Sequence, residues 1–354
     1  MKKVVVLGGG GFIGGHLAKR LKDYSNWVRI CDIKRHEYFD HSDICHEFIV
    51  GDLRDPKVVS TIIDDTIDEV YQLAADTGGV GYILTGENDA DIMYNSALIN
   101  LNVLNECVGK KIKKVFYASS GSVYSNTLNF EESSIYPANP ESEHGWEKIF
   151  SERLFLSFKR NYGLNVKIGR LHTVFGPQGT WDGGKENVVS AICRKTIEAI
   201  DGEDIEVWGD GTQERSFMYV DDCVTAILKL MDSEFSGPVN IGSEELITIN
   251  KLAQMVIDIS EKNSSIYNLR GDDFWEKYGF SNPLGVRRRN SNNILFRDKV
   301  GWEGKMTLLE GIKKTYEWIS EQSNETKWIF ESPDGGKTVN KRKMYTPIKL
   351  KIVK

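Results

Sequence analysis

His144 and Lys148 stand four residues apart in "SEHGWEKIF" (142–150), a spacing that sets both side chains on one face of a helix. An imidazole titrates at about 6.5, so protonation state is no obstacle to its acting as a base. A second group lies in "FYASSGSVY" (116–124), where Ser120 and Ser122 offer hydroxyls. Such hydroxyls can hydrogen-bond a reacting oxygen, but unactivated they cannot take a proton from carbon. A third group, Gly8, Gly11 and Gly14 in "VVVLGGGGFIGGHLA", has GxxGxxG spacing between a strand and a helix. There the backbone must turn sharply and let a phosphate reach the helix N-terminus with no Cβ in the way, as dinucleotides require. The next strand ends in "RICD", placing Asp32 eighteen residues after Gly14. A carboxylate there accepts hydrogen bonds from the adenosine ribose hydroxyls and repels a 2′-phosphate, which favours NAD over NADP. Lys34 and Arg35, a basic pair beside it, leave NADP open. Asp52 in "VGDLRD" could face the adenine or cap the helix that follows.

These groups need a scaffold, and the sequence supplies one. Strand-like runs "KVVVLG", "WVRICD", "EFIVGD", "EVYQLAA", "KVFYASS" and "VKIGRLHTVFG" alternate with amphipathic stretches such as "GGHLAKRLKDY" and "DIMYNSALINLNVLNECV". This is the βαβ rhythm of an α/β protein, a Rossmann-type doubly wound parallel sheet covered on both faces. Residues 1–175 form the dinucleotide-binding domain on this reading. From 176 to 322 the rhythm loosens into a smaller substrate-binding lobe, interleaved with the sheet, with helices predicted at 186–200, 221–232, 249–261 and 307–321. Asp221 and Asp222 are expected to cap the second of these helices. Residues 323–354 add a hairpin or tail, with the turn signal Pro-Asp-Gly-Gly between two strand-like arms and a basic end.

Composition narrows the partners. A chain of 354 residues with 27% charged residues and a net charge of -6 has no reason to bind nucleic acid or an anionic membrane. No apolar run approaches the roughly 18 residues needed to span a bilayer. The chain opens directly on a strand, so no signal peptide is expected. Five scattered cysteines without a CxxC pair suit reduced thiols and a cytoplasmic location. His36, His41, Cys45 and His46 gather in "RHEYFDHSDICHE", but their spacing matches no common zinc pattern and a solvated loop is expected, with no metal site.

Longer motifs carry a family likeness: "LAADTGGVGYI" (73–83), "MYNSALI" (93–99), "FYASSGSVY", "FGPQGTWDGGKE" (175–186), "CRK" (193–195), "WGDGTQERSFMYVDDC" (208–223), "PVNIGS" (238–243) and "GVRRRNSNN" (285–293). With them the chain resembles the extended short-chain dehydrogenase/reductases, in their nucleotide-sugar epimerase and dehydratase branch. Within that branch the likeness is to the GDP-mannose 3,5-epimerases, in order from residue 3 to about 321. The resemblance implies tightly held NAD, hydride removal from C4 of the sugar, proton exchange beside the new ketone, and return of the hydride. It implies a homodimer paired through helices 88–108 and 146–160. It also adds Phe12, Ile13, Leu53 and Ala74 to the cofactor contacts, and Thr173 to the substrate contacts.

Three positions depart from the family pattern. Where the family has a catalytic tyrosine, this chain has His144; Lys148 can still reach the nicotinamide ribose. An imidazole nitrogen lies roughly 2 Å nearer the backbone than a phenol oxygen, so a bridging water or an inward-shifted substrate is needed. His144 is therefore either a base or proton relay, or an inactive replacement. Ser120 matches the residue that hydrogen-bonds the C4 oxygen, whereas Ser122 stands where the 3,5-epimerases carry a cysteine base. Dehydratases of the branch place an acidic pair where this chain has Gly121 and Ser122. Asp182 replaces the lysine that re-protonates carbon, and a free carboxylate is a poor proton donor at neutral pH. Lys185, three residues on, could substitute by a shift of the loop.

On the substrate side, Gly78, Gly79 and Gly81 make a loop whose amides can meet a hydroxyl or phosphate. Lys195, Arg215, Arg287 and Arg289 are candidates for the diphosphate, or for surface salt bridges; Arg288 adds charge where the family has a small residue. The expected activity is that of an NAD-dependent GDP-sugar epimerase or oxidoreductase working through C4 oxidation with its 3,5-proton-transfer residues altered. A C4 dehydrogenase, a 4-epimerase, and a catalytically impaired relative that binds NAD and nucleotide sugar are the alternatives.

Overall fold

Val4, Val5, Val6 and Leu7 are all fully buried, and a strand buried on both faces belongs in the middle of a parallel sheet. The computed structural model describes residues 1–125, 130–280, 286–325, 328–331 and 340–343. The strand is β1 (Lys3–Leu7), and with it run β2 (Trp27–Asp32), β3 (Glu47–Val50), β4 (Glu69–Gln72), β5 (Lys114–Ser120), β6 (Val166–Leu171) and β7 (Pro238–Ile241). The order across the sheet is β3-β2-β1-β4-β5-β6-β7, and every neighbouring pair is parallel. Order reverses between β1 and β4, and beyond the carboxyl ends of those strands a doubly wound sheet opens its ligand crevice.

Among the described residues seven helices are of eleven residues or more: α1 (Phe12–Asp23), α2 (Asp89–Gly109), α3 (Glu143–Tyr162), α4 (Val188–Glu198), α5 (Val220–Asp232), α6 (Ile249–Ser260) and α7 (Leu308–Glu325). Side chains alternate across a strand, so β1 divides the core. Val4 and Val6 pack in one cluster with residues of α1 and α5; Val5 and Leu7 pack in another with residues of α2 and α3. After β6 the chain leaves the sheet, builds α4 and α5, and returns as β7 with Asn240 opposite Arg170. The remaining pairings are short, such as Glu214–Ser216 between Leu246–Thr248 and Arg288–Arg289.

The helix α5 begins one residue earlier than its sequence signals, at Val220 after Tyr219. Asp221 and Asp222 are therefore in its first turn and do not cap it. Asp222 instead accepts from the backbone N–H groups of Lys305 and Met306, both at 2.8 Å, and Asp221 accepts from Arg20 at 3.4 Å. In the tail, Trp328–Glu331 pairs antiparallel with Asn340–Lys343; the Pro-Asp-Gly-Gly turn and the basic end lie outside the described residues. No helix among the described residues is long and apolar enough to cross a membrane.

Candidate active site

A cleft of about 730 Å³ opens at the carboxyl end of the sheet, beyond β1 and β4. Of the residues singled out from the sequence, Gly8, Gly11, Phe12, Ile13, Gly14, Asp32, Asp52, Leu53, Ala74, Gly78, Ser120, His144, Lys148 and Lys185 line it. Gly79, Gly121, Ser122, Thr173, Asp182, Lys195, Arg215, Arg287 and Arg289 do not.

The deep end is shaped for a dinucleotide. Gly8 has φ +84°, and a Cβ on it would lie 2.7 Å from the Ala74 nitrogen; one on Gly14 would lie 2.2 Å from the Gly8 carbonyl oxygen. Only glycine allows this turn to fold onto itself. Helix α1 starts with no side-chain cap and no acidic residue in its first turn, so its amides are left for an anion. Asp32 sits at the end of β2 and accepts from the N–H groups of Gly10 (2.9 Å) and Lys34 (3.2 Å); burial pushes its carboxyl above the usual range. The basic pair beside it is engaged elsewhere: Lys34 bonds Glu37 at 2.6 Å and the Arg35 guanidinium lies 5.5 Å from the Phe48 ring centre. Asp52 pairs with Arg54 at 2.6 Å, which holds its carboxyl low, and Asp55 caps the following helix in place of Asp52. No three His, Cys, Asp or Glu side chains among the described residues converge as a metal site.

Ser142 caps α3 by accepting from Gly145, and the helix then carries His144 and Lys148 into the cleft. His144 is only 6% exposed, and its Nδ1 has no hydrogen-bond partner among the described residues. Burial, aided by Lys148 and Arg289, pushes its pKa down to about 3. This corrects the expectation of an ordinary imidazole: His144 is neutral, and thus free to accept, but a much weaker base than its type suggests. Lys148 donates to the Ala118 carbonyl at 3.2 Å and lies 5.1 Å from the Tyr117 ring centre.

Ser120 ends β5, and its hydroxyl accepts from the Ser122 N–H and donates to the Ser122 Oγ, both at 3.1 Å. Arg289 Nη1 reaches the same Ser122 Oγ at 3.4 Å. A Cβ on Gly121 would lie 2.8 Å from His172 Nδ1, so the buried imidazole leaves no room there for an acidic side chain. Asp182 faces solvent, accepts from the Gly183 N–H at 2.8 Å and lies 3.6 Å from Arg194. Lys185 stands at the rim with Nζ 4.8 Å from the Tyr82 ring centre, and Gly79 packs under its carbonyl.

The other basic candidates are spread along the chain after β6. Lys195 is bound by Glu206 at 3.1 Å over the Trp208 ring, away from the cleft. Arg287 is exposed and contributes its carbonyl to Glu214. Thr173 uses its carbonyl to receive Met218 N–H. Arg215 donates to the Val286 carbonyl at 2.5 Å; burial and the neighbouring Arg289 push its pKa down to about 10. Sequence reading missed Arg54, Asp76 and Asn95 on the cleft wall, joined by Arg54–Asn95 (2.9 Å) and Asn95–Asp76 (2.7 Å) hydrogen bonds. Their separation in the chain hides the cluster, although Asp76 stands inside the "LAADTGG" motif.

Comparison with known proteins agrees with this geometry. Residues 4–242 match the NAD dependent epimerase/dehydratase family. The chain is 39% identical over 334 residues to the GDP-mannose 3,5-epimerase of Arabidopsis thaliana, covering 92% of this chain and 84% of that one. It is 28% identical to the UDP-glucuronic acid decarboxylase 6 of the same plant, covering 88% of this chain and 86% of that one. Among solved structures, the UDP-glucose 4-epimerase of Thermotoga maritima, determined with UDP-glucose, superposes with a TM-score of 0.78 at 25% identity, covering 91% of this chain and 99% of that one. On a doubly wound sheet whose glycine turn and Asp32 fit a dinucleotide, these likenesses mean that the chain belongs to the NAD dependent epimerase/dehydratase family, with NAD as its cofactor.

Proposed function

We propose that the protein binds a GDP-sugar beside NAD, oxidises it at C4 with Ser120, His144 and Lys148, and lacks the groups for proton exchange at C3 and C5. One observation carries this: Ser120, His144 and Lys148 share the cleft with the glycine turn and Asp32, while Asp182 faces solvent beside Arg194. NAD, when bound, supplies the hydride acceptor. Lys148 orients the cofactor ribose, and Ser120 hydrogen-bonds the C4 oxygen. His144, whose side chain lines the cleft, accepts the hydroxyl proton on its neutral imidazole. Because burial and two cations disfavour the imidazolium, that transfer is uphill and slow. The same depression favours a second reading, in which the chain binds NAD and nucleotide sugar and turns over little.

The choice of GDP rests on the curated relatives at 37–39% identity, each named GDP-mannose 3,5-epimerase. Arg215 and Arg289 suit the diphosphate: burial disfavours the charge of both, Arg289 adds to the effect on Arg215, Glu141 only partly offsets it, and an anion beside them relieves both. Arg289→Gln is expected to weaken GDP-mannose binding by about 2 kcal/mol, about 30-fold, with NAD affinity unchanged. Calorimetric titration with each ligand measures this, and an equal loss for NAD would mean that Arg289 supports the fold, not the diphosphate. For the assembly, Tyr94 and Leu101 on α2 and Trp146 and Phe150 on α3 are exposed large apolar side chains. Each pair sits on one helical face, which suits a homodimer joined through α2 and α3.

A further inference from the structure

Helix α3 buries two carboxylates, and they are not treated alike. Glu152 is matched by Arg170, which binds both its oxygens at 2.9 and 2.8 Å. Glu147 is 0% exposed and no arginine reaches it among the described residues. Its Oε1 accepts from Asn100 Nδ2 (3.2 Å) and Ser151 Oγ (2.5 Å), and Gln72 in turn donates to Asn100. Its Oε2 has no hydrogen-bond partner among the described residues but lies 3.7 Å from Lys148 Nζ, itself on a side chain 6% exposed.

We infer that Glu147 is the counter-ion that keeps Lys148 charged within the cofactor cleft, a positioning residue for the lysine. The inference rests on Lys148 serving the cofactor end of that cleft. An ammonium out of water sheds its proton unless a carboxylate opposes it, and among the described residues the surroundings supply no other. On its own helix, His144 is neutral and Glu152 is committed to Arg170. Strand β5 presents the Tyr117 ring, the Ala118 carbonyl and the Ser119 and Ser120 hydroxyls, and α2 presents the neutral Asn100. From the second lobe comes Arg289, a further positive charge. The carboxylates on the cleft wall are held elsewhere: Asp32 by backbone amides, Asp52 by Arg54, and Asp76 by Tyr82 and Asn95. The Gln72–Asn100–Ser151 chain fixes Glu147 in place, so the pair is built in before any ligand arrives.

Glu147→Gln keeps the shape and leaves an oxygen for Asn100 and Ser151. NAD affinity followed by tryptophan fluorescence from pH 6.5 to 9 is expected to stay level in the parent protein. In Glu147→Gln it should match the parent at pH 6.5 and weaken about tenfold per pH unit once Lys148 deprotonates. Adding Lys148→Arg, which cannot lose its proton, should level the profile again. A Glu147→Gln profile parallel to the parent's, or an equal loss at every pH that Lys148→Arg leaves unchanged, would overturn the inference. Acetylation of Lys148 by acetic anhydride, read by mass spectrometry, follows the same proton with no cofactor present. Glu147→Gln should shift its onset to lower pH, and an unchanged onset would refute the counter-ion role even if the cofactor end were wrongly assigned.

Discussion

A Ser122→Cys variant is expected to exchange a sugar C–H proton with solvent at least about 100-fold faster than the parent protein. The substitution changes one atom at a position already built for an anion. Arg289 Nη1 lies 3.4 Å from the Ser122 Oγ, and Ser120 donates to the same oxygen at 3.1 Å. A serine hydroxyl keeps its proton in that setting, whereas a thiol, with a pKa of about 8.5 before any help, is drawn below it by a guanidinium. The resulting thiolate can pull a proton from a carbon made acidic by a ketone at C4. Deuterium at C3 or C5 of GDP-mannose, read by NMR after incubation in deuterated water, is the measurement, and iodoacetamide labelling against pH gives the thiol's ionisation. A thiolate that forms and binds sugar yet exchanges no deuterium would mean that C4 is never oxidised, or that Ser122 does not face the sugar.

The second large effect is on stability in mild acid. His144 and His172 are buried and held neutral, with pKa values pushed down to about 3 and about 4. For His172 burial dominates, and the Asn240 Oδ1 at 3.2 Å only partly offsets it. In the unfolded chain both take a proton at about 6.5, so below that pH the unfolded state binds more protons. Stability is therefore full above pH 6.5 and falls as pH drops toward the folded-state values. At pH 5 each histidine subtracts about 2 kcal/mol, about 4 kcal/mol together. His36, pushed down to about 4, acts in the same direction. Carboxylates such as Asp64 and Glu206, held at about 2, withdraw their support only at more acidic pH, below about 4. Urea unfolding of the cofactor-free protein at pH 8, 6 and 5 tests this, and His172→Gln should remove about a third of the drop, since His36 contributes a term of similar size. Equal stability at pH 8 and pH 5 would show that the two imidazoles are reached by water.

Six of the seven strands were legible because they are short runs alternating with helical patterns, whereas nothing in Pro238–Ile241 marks its return to the sheet, and a further strand, Leu246–Thr248, follows it. β1 illustrates why: fully buried on both faces, it leaves no polar alternation to confuse with a surface strand. The cofactor end was legible for a related reason, since the glycine turn, Asp32 and the Asp52 loop follow directly from strand ends. What spacing could not reveal is charge brought in from afar. His144 is weakened partly by Arg289, 145 residues away, and Lys195 is taken by Glu206 from the strand Ile205–Trp208. Glu147 offers no signal at all in a row of helix-forming residues; only the fold shows that it is sealed beside Lys148. Asp221 and Asp222 failed as caps because the helix begins at an uncapped Tyr219–Val220 step, which no side-chain preference marks.

The proposed division between retained hydride chemistry and lost carbon-acid chemistry is tested most directly on the unaltered protein. Purified protein charged with NAD is mixed with GDP-mannose in deuterated water, cofactor reduction is followed at about 340 nm, and the recovered sugar is read by NMR. Growth of the reduced-cofactor signal with no deuterium at C3 or C5 is the expected result. Deuterium at either carbon would contradict it, since a proton relay other than Ser122 and Asp182 would then be at work.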